Sequence, residues 1–298
     1  SPIDQLSFLQ DASGHLNVLL RSHARGDGMW GAEHGRGDFA LLRVPLASFG
    51  NGRDAAPNSA YRPITAGIQG HAVHNRYVGD WLLVGAVGTP RVHALRYGDT
   101  PGFAKDGNVF DVSTIDLQHG VERIEALGHH ALVAGNAGRD LHFSTLRLDA
   151  RSATLASHEV RSDAAQGESR THGFFYRATS HDDGILGLPI ITNTQGGRHG
   201  EMHGQPGPQG HGASVVFLRN RGLELSTIGK LDAQGGTRGP RAPADDGCKA
   251  SCVDWYGNAR PIFLGERVFA LMGYELVEGR FAGGRFTGER IEERRRID

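Results

Sequence analysis

The apolar positions of this chain fall into short runs, and the stretches between them are rich in Gly, Asp and Asn. Apolar residues at helical spacing over three turns are almost absent. Short apolar runs bounded by turn-forming residues are instead typical of buried β-strands. The pattern therefore predicts a mainly β protein.

One pattern occurs at five places: an apolar residue, a Gly, one or two polar residues and then a longer apolar run. The glycines concerned are Gly14, Gly79, Gly128, Gly184 and Gly265. Each copy has the outline of a β-hairpin, with its turn at the Gly and a buried second strand. Further strand-like runs follow, and the copies begin between about 50 and 80 residues apart, whereas a four-stranded propeller blade needs about 40–50 residues.

Three segments account for the longer spacings. Residues 50–63, 195–212 and 233–247 are rich in Gly, Pro and Asp and lack periodicity, so we expect surface loops there. A small sheet cannot bury both of its faces alone, but sheets stacked around an axis can. We therefore predict an all-β fold, a β-propeller of about five blade-like units, in which residues 1–298 are a single propeller domain or the C-terminal part of one.

The two ends of the chain decide whether such a propeller is complete. In a closed five-bladed ring, the strand expected at residues 5–8 or the one expected at residues 285–289 pairs with the opposite end of the chain. In a partial propeller, another polypeptide completes the open arc, because two uncovered apolar sheet faces favour association.

The composition narrows the classes of partner. Gly contributes 44 residues, about twice its usual share, which fits a chain with many turns. No apolar stretch is long enough for a transmembrane helix. Lys and Arg total 32 against 33 Asp and Glu, a net charge of −1, so the strong positive field of a nucleic-acid-binding protein is missing. We expect neither a membrane span nor a nucleic-acid partner.

Four segments carry a family resemblance. They are Ile3–Phe8, Ser169–Tyr176, Leu186–Pro189 and Asp254–Pro261. Together they resemble bacterial secreted proteins with a C-terminal β-propeller domain, a family distantly related to WD-type repeats. The resemblance extends over nearly the whole chain and corresponds to the later part of the family's propeller region.

The resemblance implies a propeller fold and export, to the periplasm or out of the cell, but it brings no catalytic residues. The Trp-Asp dipeptide of WD repeats is absent, and only the reversed pair Asp254-Trp255 occurs. The chain begins at Ser1-Pro2 without an initiator Met, which we interpret as a processed start.

Cys248 and Cys252 are the two cysteines of the chain, in a loop rich in small and polar residues. In an exported protein such a pair indicates a short-range disulfide, whereas in the cytosol it is a candidate redox or metal pair. We favour the disulfide because no further Cys can complete a thiolate zinc site.

Histidines are dense in the segment from Gly196 to His211. His199, His203 and His211, with spacings of four and eight residues, can gather a divalent transition metal such as Cu or Ni. The alternative is a solvated low-complexity loop in which the histidines have no common ligand, since a flexible loop loses conformational entropy when it forms a site.

Other polar residues are candidates for binding. His172, flanked by Arg170 and followed by an aromatic run, and Arg260, in the last resembling segment, are the candidate binding residues. Hydrogen bonding to the backbone is the alternative role for His172. The pairs His71/His74 and His129/His130 do not form compact chelates on a strand, so we expect them in turns or at the surface.

No nucleophile-elbow, zinc-protease or phosphate-binding motif is present in the sequence. The first hypothesis is therefore an exported, non-catalytic binding or scaffold module that holds a protein or glycan partner of unknown identity. The alternative is a metal-assisted hydrolase or lyase with its site at the mouth of the central channel. Carboxylates or imidazoles that converge in the structure would favour the enzyme.

Overall fold

A computed structural model describes most of the chain. The described residues are 1–22, 37–50, 52, 54–65, 67–70, 72–98, 112–168, 170–192, 212–233, 259–272, 275–282, 288 and 290–297. In these ranges the regular structure consists of β-strands and four single-turn 3-10 helices, at Gln5–Ser7, Leu46–Ser48, Asn58–Ala60 and Thr171–Gly173. The predicted all-β fold is confirmed.

The strands form five antiparallel sheets, numbered in chain order. Sheet 1 contains β1 (Phe8–Gln10), β2 (His15–Arg21), β3 (Phe39–Pro45) and β4 (Tyr61–Ile64). Sheet 2 contains β5 (Val73–Val78), β6 (Trp81–Ala86), β7 (Arg91–Arg96) and β8 (Val112–Asp116). Sheet 3 contains β9 (Arg123–Leu127), β10 (His130–Ala137), β11 (Asp140–Leu148) and β12 (Ala153–Arg161).

The last two sheets follow the same plan, with one addition. Sheet 4 contains β13 (Ala164–Gln166), β14 (Phe175–Ala178), β15 (Asp183–Thr192), β16 (Gly212–Arg221) and β17 (Glu224–Asp232). Both β13 and β14 pair with β15. Sheet 5 contains β18 (Ala259–Leu264), β19 (Arg267–Met272), β20 (Glu275–Phe281) and β21 (Ile291–Ile297). The five sheets correspond to the five units predicted from the sequence.

The recurring glycines occupy the same place in four of the sheets. Gly14, Gly79, Gly128 and Gly265 each lie in the turn between the first and the second strand, with φ between 54° and 78°. Residues with a Cβ rarely adopt such angles. The hairpins predicted at these four positions are confirmed.

Gly184 is an exception: β14 and β15 form the predicted hairpin, but its turn lies between Ala178 and Asp183, so the turn predicted at Gly184 is misplaced. It lies inside the strand β15, paired with Ala178 on β14 and with Asn220 on β16. A Cβ at this position would lie 2.4 Å from both Cζ and Oη of Tyr176. Gly184 is therefore needed for the close approach of an aromatic ring and not for a turn.

The chain divides into two compact units, residues 1–136 with 143–156 and residues 137–142 with 157–298. The division leaves sheets 1 and 2 in the first unit and sheets 4 and 5 in the second.

In the first unit, β6 is buried on both faces. Trp81 and Leu83 belong to an apolar cluster that also contains residues of sheet 3, whereas Leu82 and Val84 belong to a second cluster shared with sheet 1. Neighbouring residues of a strand point to opposite faces of its sheet. Burial on both faces explains why β6 is an unbroken apolar run instead of an alternating one.

In the second unit, sheets 4 and 5 enclose one apolar cluster. Val215 and Phe217 of β16 contribute to it from sheet 4, and Val268 and Ala270 of β19 contribute from sheet 5. The rings of Phe217 and Phe263 meet edge to face, with centroids 6.0 Å apart. The two sheets thus bury facing apolar surfaces, the main source of stability for small sheets.

At the N-terminus, the strand expected at residues 5–8 is mostly wrong. Gln5–Ser7 is a 3-10 helix, because Asp4 accepts a hydrogen bond from the backbone N–H of Leu6 while the Ser7 hydroxyl accepts one from the Asp4 N–H. Of residues 5–8, only Phe8 lies in a strand: it is the first residue of β1, which pairs with β2.

At the other end of the chain, β21 pairs with β20. Of residues 285–289, where the other terminal strand was expected, only Gly288 is described, and it is not in a strand.

The predicted surface loops have mixed outcomes. The loop expected at residues 50–63 is wrong at its end, where a 3-10 helix leads into β4. Of the segments 195–212 and 233–247, the structure describes only Gly212, the first residue of β16, and Ala233. No helix in the described ranges has the length and hydropathy needed to cross a membrane.

Candidate functional site

In sheets 2 to 5, the strand that forms a hairpin with β6, β10, β15 or β19 and precedes it (β5, β9, β14 and β18) is here called the first strand, and β2, β6, β10, β15 and β19 are called the second strands. Ionisable side chains interrupt these first strands but not the interiors of the second strands. Interior positions of β5, β9, β14 and β18 carry His74, Arg76, Glu125, Arg177 and Arg260. The second strands β2, β6, β10, β15 and β19 carry Asp, Glu, Arg, Lys or His only at their ends or not at all. Charged residues in a strand interior are costly to bury, so the first strands are candidates for a functional site.

The charges of β5 and β9 form a three-residue ion cluster in the first unit. The strands lie side by side. Arg76 Nη2 on β5 lies 2.7 Å from Oε2 of Glu125 on β9, and Arg123 Nη1 lies 2.8 Å from its Oε1. Arg123 and Glu125 are two residues apart on one strand, so they share a face.

The three side chains differ in their access to solvent. Those of Arg123 and Glu125 are 3% and 4% exposed, whereas that of Arg76 is 25% exposed. Burial raises the pKa of Glu125, while the charges of Arg76 and Arg123 and the hydrogen bond from Arg123 act in the opposite direction. Both carboxylate oxygens are therefore held by guanidinium groups, and Arg76 offers its remaining donors to solvent or to an anionic ligand.

A second polar group on β5 is tied to the N-terminus. The side-chain amide of Asn75 donates to Oδ1 of Asp4 at 3.0 Å and to Oγ of Ser7 at 3.3 Å. Burial lowers the pKa of the neighbouring His74, the charge of Arg123 lowers it further, and that of Asp4 opposes both. His74 is therefore a neutral imidazole at neutral pH, able to donate one hydrogen bond and accept another.

The binding residues predicted from the sequence lie in the second unit. Arg170 precedes the 3-10 helix Thr171–Gly173, which contains His172. Glu168, almost fully buried, accepts a hydrogen bond from the Arg170 backbone N–H at 2.8 Å through Oε1, and its Oε2 lies 3.4 Å from His172 Nε2. Gly173 is required beside it, because a Cβ there would lie 2.7 Å from Cγ of Glu168.

Arg260 belongs to the same neighbourhood. It lies on β18, and β18 packs against the 3-10 helix that carries His172. The structure thus brings the three predicted binding residues onto two neighbouring elements. Sequence analysis missed Glu168, although its spacing of four residues from His172 would have identified the pair if a helical turn had been predicted there.

Several other predictions have different outcomes. His199, His203 and His211, the predicted metal ligands, and Cys248 and Cys252, the predicted disulfide, lie outside the described residues.

The expectation for His129 and His130 was only half right. His129 is exposed in the turn, but His130 is buried, and its Nδ1 accepts a hydrogen bond from the backbone N–H of Leu148 at 3.1 Å. An imidazole can replace a missing strand partner in this way, so a His beside a turn is not necessarily at the surface.

No protein-family model matches the chain, and no curated protein gives a significant sequence match.

Proposed function

We propose that the chain is an exported β-propeller that binds an acidic partner, either a glycan or a protein segment, along the first strands of its sheets. The observation that carries this proposal is the contrast between the first strands β5, β9, β14 and β18, whose interiors carry ionisable side chains, and the second strands that follow them, whose interiors carry none. The propeller is the architecture in which first strands of successive sheets come together around a central channel.

Two features support the propeller. Each sheet is made of strands that follow one another in the sequence, as propeller blades are. Consecutive sheets also share apolar clusters within each unit, so that sheet 2 is covered on both faces. Export is supported by the sequence resemblance carried by residues 3–8, 169–176, 186–189 and 254–261.

The sign of the charges supports an acidic partner. The first strands carry four arginines, Arg76, Arg123, Arg177 and Arg260, against one carboxylate, Glu125. A local excess of positive charge attracts anions even when the net charge of the chain is −1. Guanidinium groups bind carboxylates and similar oxyanions through paired hydrogen bonds, which suits uronic acids and acidic side chains.

The test is isothermal titration of the full chain with two acidic polymers, polygalacturonate and polyglutamate, and with neutral dextran. We expect binding of at least one acidic polymer and none of dextran. The substitutions Arg76→Gln and Arg260→Gln should each weaken binding about tenfold, the loss expected for one charge-assisted hydrogen bond. Arg91→Gln is the matched control, because Arg91 is an exposed arginine on β7 that pairs with Asp116.

Equal binding of dextran, no binding of either acidic polymer, or unchanged affinity in both variants would contradict the proposal. The same mixtures separate the binding module from the enzyme alternative. A binding module leaves the polymer at its original length on size-exclusion chromatography, whereas a hydrolase or lyase shortens it.

A further inference from the structure

Three arginines of sheet 5 converge on one carboxylate, away from the first strands. Glu278 lies on β20, and Oε1 of its almost fully buried side chain accepts a hydrogen bond from Nε of Arg267 on β19 at 2.8 Å. From β21, Arg294 Nη1 donates to the same oxygen at 3.0 Å, and Arg295 Nε donates to Oε2 at 2.7 Å. Arg267, Arg294 and Arg295 are here called the arginine cluster.

A β-bulge in β21 explains why two adjacent arginines reach the same side chain. Neighbouring residues of a regular strand point to opposite faces of the sheet. Arg295 pairs with Glu278 and Glu293 pairs with Gly279, so Arg294 is an extra residue inserted between two paired positions. A bulge bends the strand and redirects the side chains beside it, which brings Arg294 and Arg295 to Glu278 together. Bulges are common at sheet edges and beside functional sites, and β21 is the outer strand of sheet 5.

The arginine cluster has an excess of two positive charges, because three guanidinium groups surround one carboxylate. The other acidic residues of β20 and β21 do not offset this excess. Glu275 and Glu293 are both paired with Arg296, and the strand register places them on the opposite face of the sheet. Glu292 interacts with Arg290. The cluster is therefore a local positive site in a chain whose total charge is nearly balanced.

Most N–H donors of the arginine cluster remain available to a ligand. Each guanidinium group has five donors, and within the described part of the chain each of the three gives one hydrogen bond, to Glu278. The three side chains are about half exposed. The guanidinium of Arg267 also lies over the ring of Phe269, 4.7 Å from its centroid. Side chains that are already held in place lose less conformational entropy when they bind a ligand.

We propose that the arginine cluster binds the dianionic phosphate group of a phosphate monoester. Such a group carries about 1.5 to 2 negative charges at pH 7 and presents three acceptor oxygens, which matches both the excess charge and the three guanidinium groups. Arginine clusters recognise phosphorylated ligands in this way. Glu278 is a positioning residue, because it holds the guanidinium groups together from the buried side. The cluster contains none of the first-strand residues, so this proposal is independent of the proposed function.

The test is an NMR titration of the isotope-labelled full chain at pH 7 with methyl phosphate and with methyl sulfate. The two esters have the same shape and three terminal oxygens each, but methyl sulfate carries a single negative charge. We expect methyl phosphate to shift the Nε–Hε resonances of Arg267 and Arg295 in one saturable step, and methyl sulfate to bind about tenfold more weakly or less. Arg267→Gln, Arg294→Gln and Arg295→Gln should each weaken methyl phosphate binding about tenfold, the loss expected for one charge-assisted hydrogen bond.

Arg290→Gln is the matched control, because Arg290 is an exposed arginine next to β21 that interacts with Glu292. Arg76→Gln tests independence from the first strands. Both variants should bind methyl phosphate as the wild type does. Equal affinity for the two esters, an equal loss in Arg290→Gln, or unchanged affinity in all three cluster variants would overturn the proposal. If a cluster variant does not fold, the wild type decides: methyl phosphate shifts centred on β19–β21 support the site, and shifts centred elsewhere exclude it.

Discussion

Glu278 shows how this chain keeps single charges within a sheet. Its side chain, on β20, is only 2% exposed, and its oxygens accept hydrogen bonds from Arg267 at 2.8 Å, Arg294 at 3.0 Å and Arg295 at 2.7 Å. The hydrogen bond from Arg267 is the largest of the effects that lower the pKa of Glu278 to about 2, and burial opposes it. The three arginines are themselves about half exposed, so they cover the carboxylate while remaining in contact with water.

We expect Glu278→Gln to lower the free energy of unfolding by about 1–2 kcal/mol at pH 7, the value of charge-assisted hydrogen bonds reduced by solvent around the arginines. Because the pKa is lowered in the folded state, this contribution is complete above pH 4.5 and is lost as the pH falls through about 2. Urea unfolding at pH 7 and near pH 2 measures it. The variant and the wild type should converge at low pH.

The control for this prediction is Glu292→Gln, because Glu292 is a half-exposed carboxylate on the neighbouring strand β21 that interacts with Arg290. Its effect should stay within about 0.5 kcal/mol. A difference between Glu278→Gln and wild type that is equally large near pH 2 would show that the loss comes from packing and not from charge.

Individual residue roles were the least predictable from the sequence. The sequence does not single out Glu125 and Arg123 as functional candidates in a chain with balanced charges, because only the packing of β5 against β9 brings Arg76 to them. Gly184 fits the same local pattern as the turn glycines, and only the ring of Tyr176 on the neighbouring strand explains it. Contacts between residues far apart in the sequence leave no local pattern, so these roles depend on the fold.

At the scale of the element, the apolar runs predicted strands well. An unbroken run such as Trp81–Ala86 indicates a strand buried on both faces, and in the structure all six residues of this strand are buried. The 3-10 helices at Gln5–Ser7 and Asn58–Ala60 were missed, because a single turn has no periodicity to detect. The candidate residues Arg170 and His172 were recognised, but the turn that brings Glu168 to them was not.

Because β6 is buried on both faces, we expect two adjacent residues of this strand to contribute equally to stability. Leu82 and Leu83 are both fully buried but belong to different clusters. Leu82→Ala and Leu83→Ala should therefore each cost about 2–5 kcal/mol of stability, the usual range for a buried leucine. In a sheet with one solvated face, one of the two would be nearly neutral. Urea unfolding of the two variants distinguishes these arrangements.

Leu155→Ala, on the partly exposed strand β12, is the control, because Leu155 is 39% exposed. Its cost should be clearly smaller than that of either β6 variant. If Leu82→Ala is as mild as Leu155→Ala, the face of sheet 2 toward sheet 1 is not firmly packed, and the stacking that supports a propeller fails at that point.

At the scale of the whole molecule, the closed ring and the open arc expected from the sequence predict different behaviour in solution, and the closed ring predicts a compact monomer. Closure covers the outer faces of the first and last sheets with each other, so no apolar sheet face is left to drive association. We expect a mass of 32.0 kDa by light scattering and a radius of gyration of about 19 Å by small-angle X-ray scattering, the value for a compact chain of this length. Both should be independent of protein concentration.

An open arc instead leaves two sheet faces uncovered, which raises the radius of gyration of the monomer or produces dimers as the concentration increases. A mass that rises with concentration would therefore contradict closure and favour an arc that another polypeptide completes.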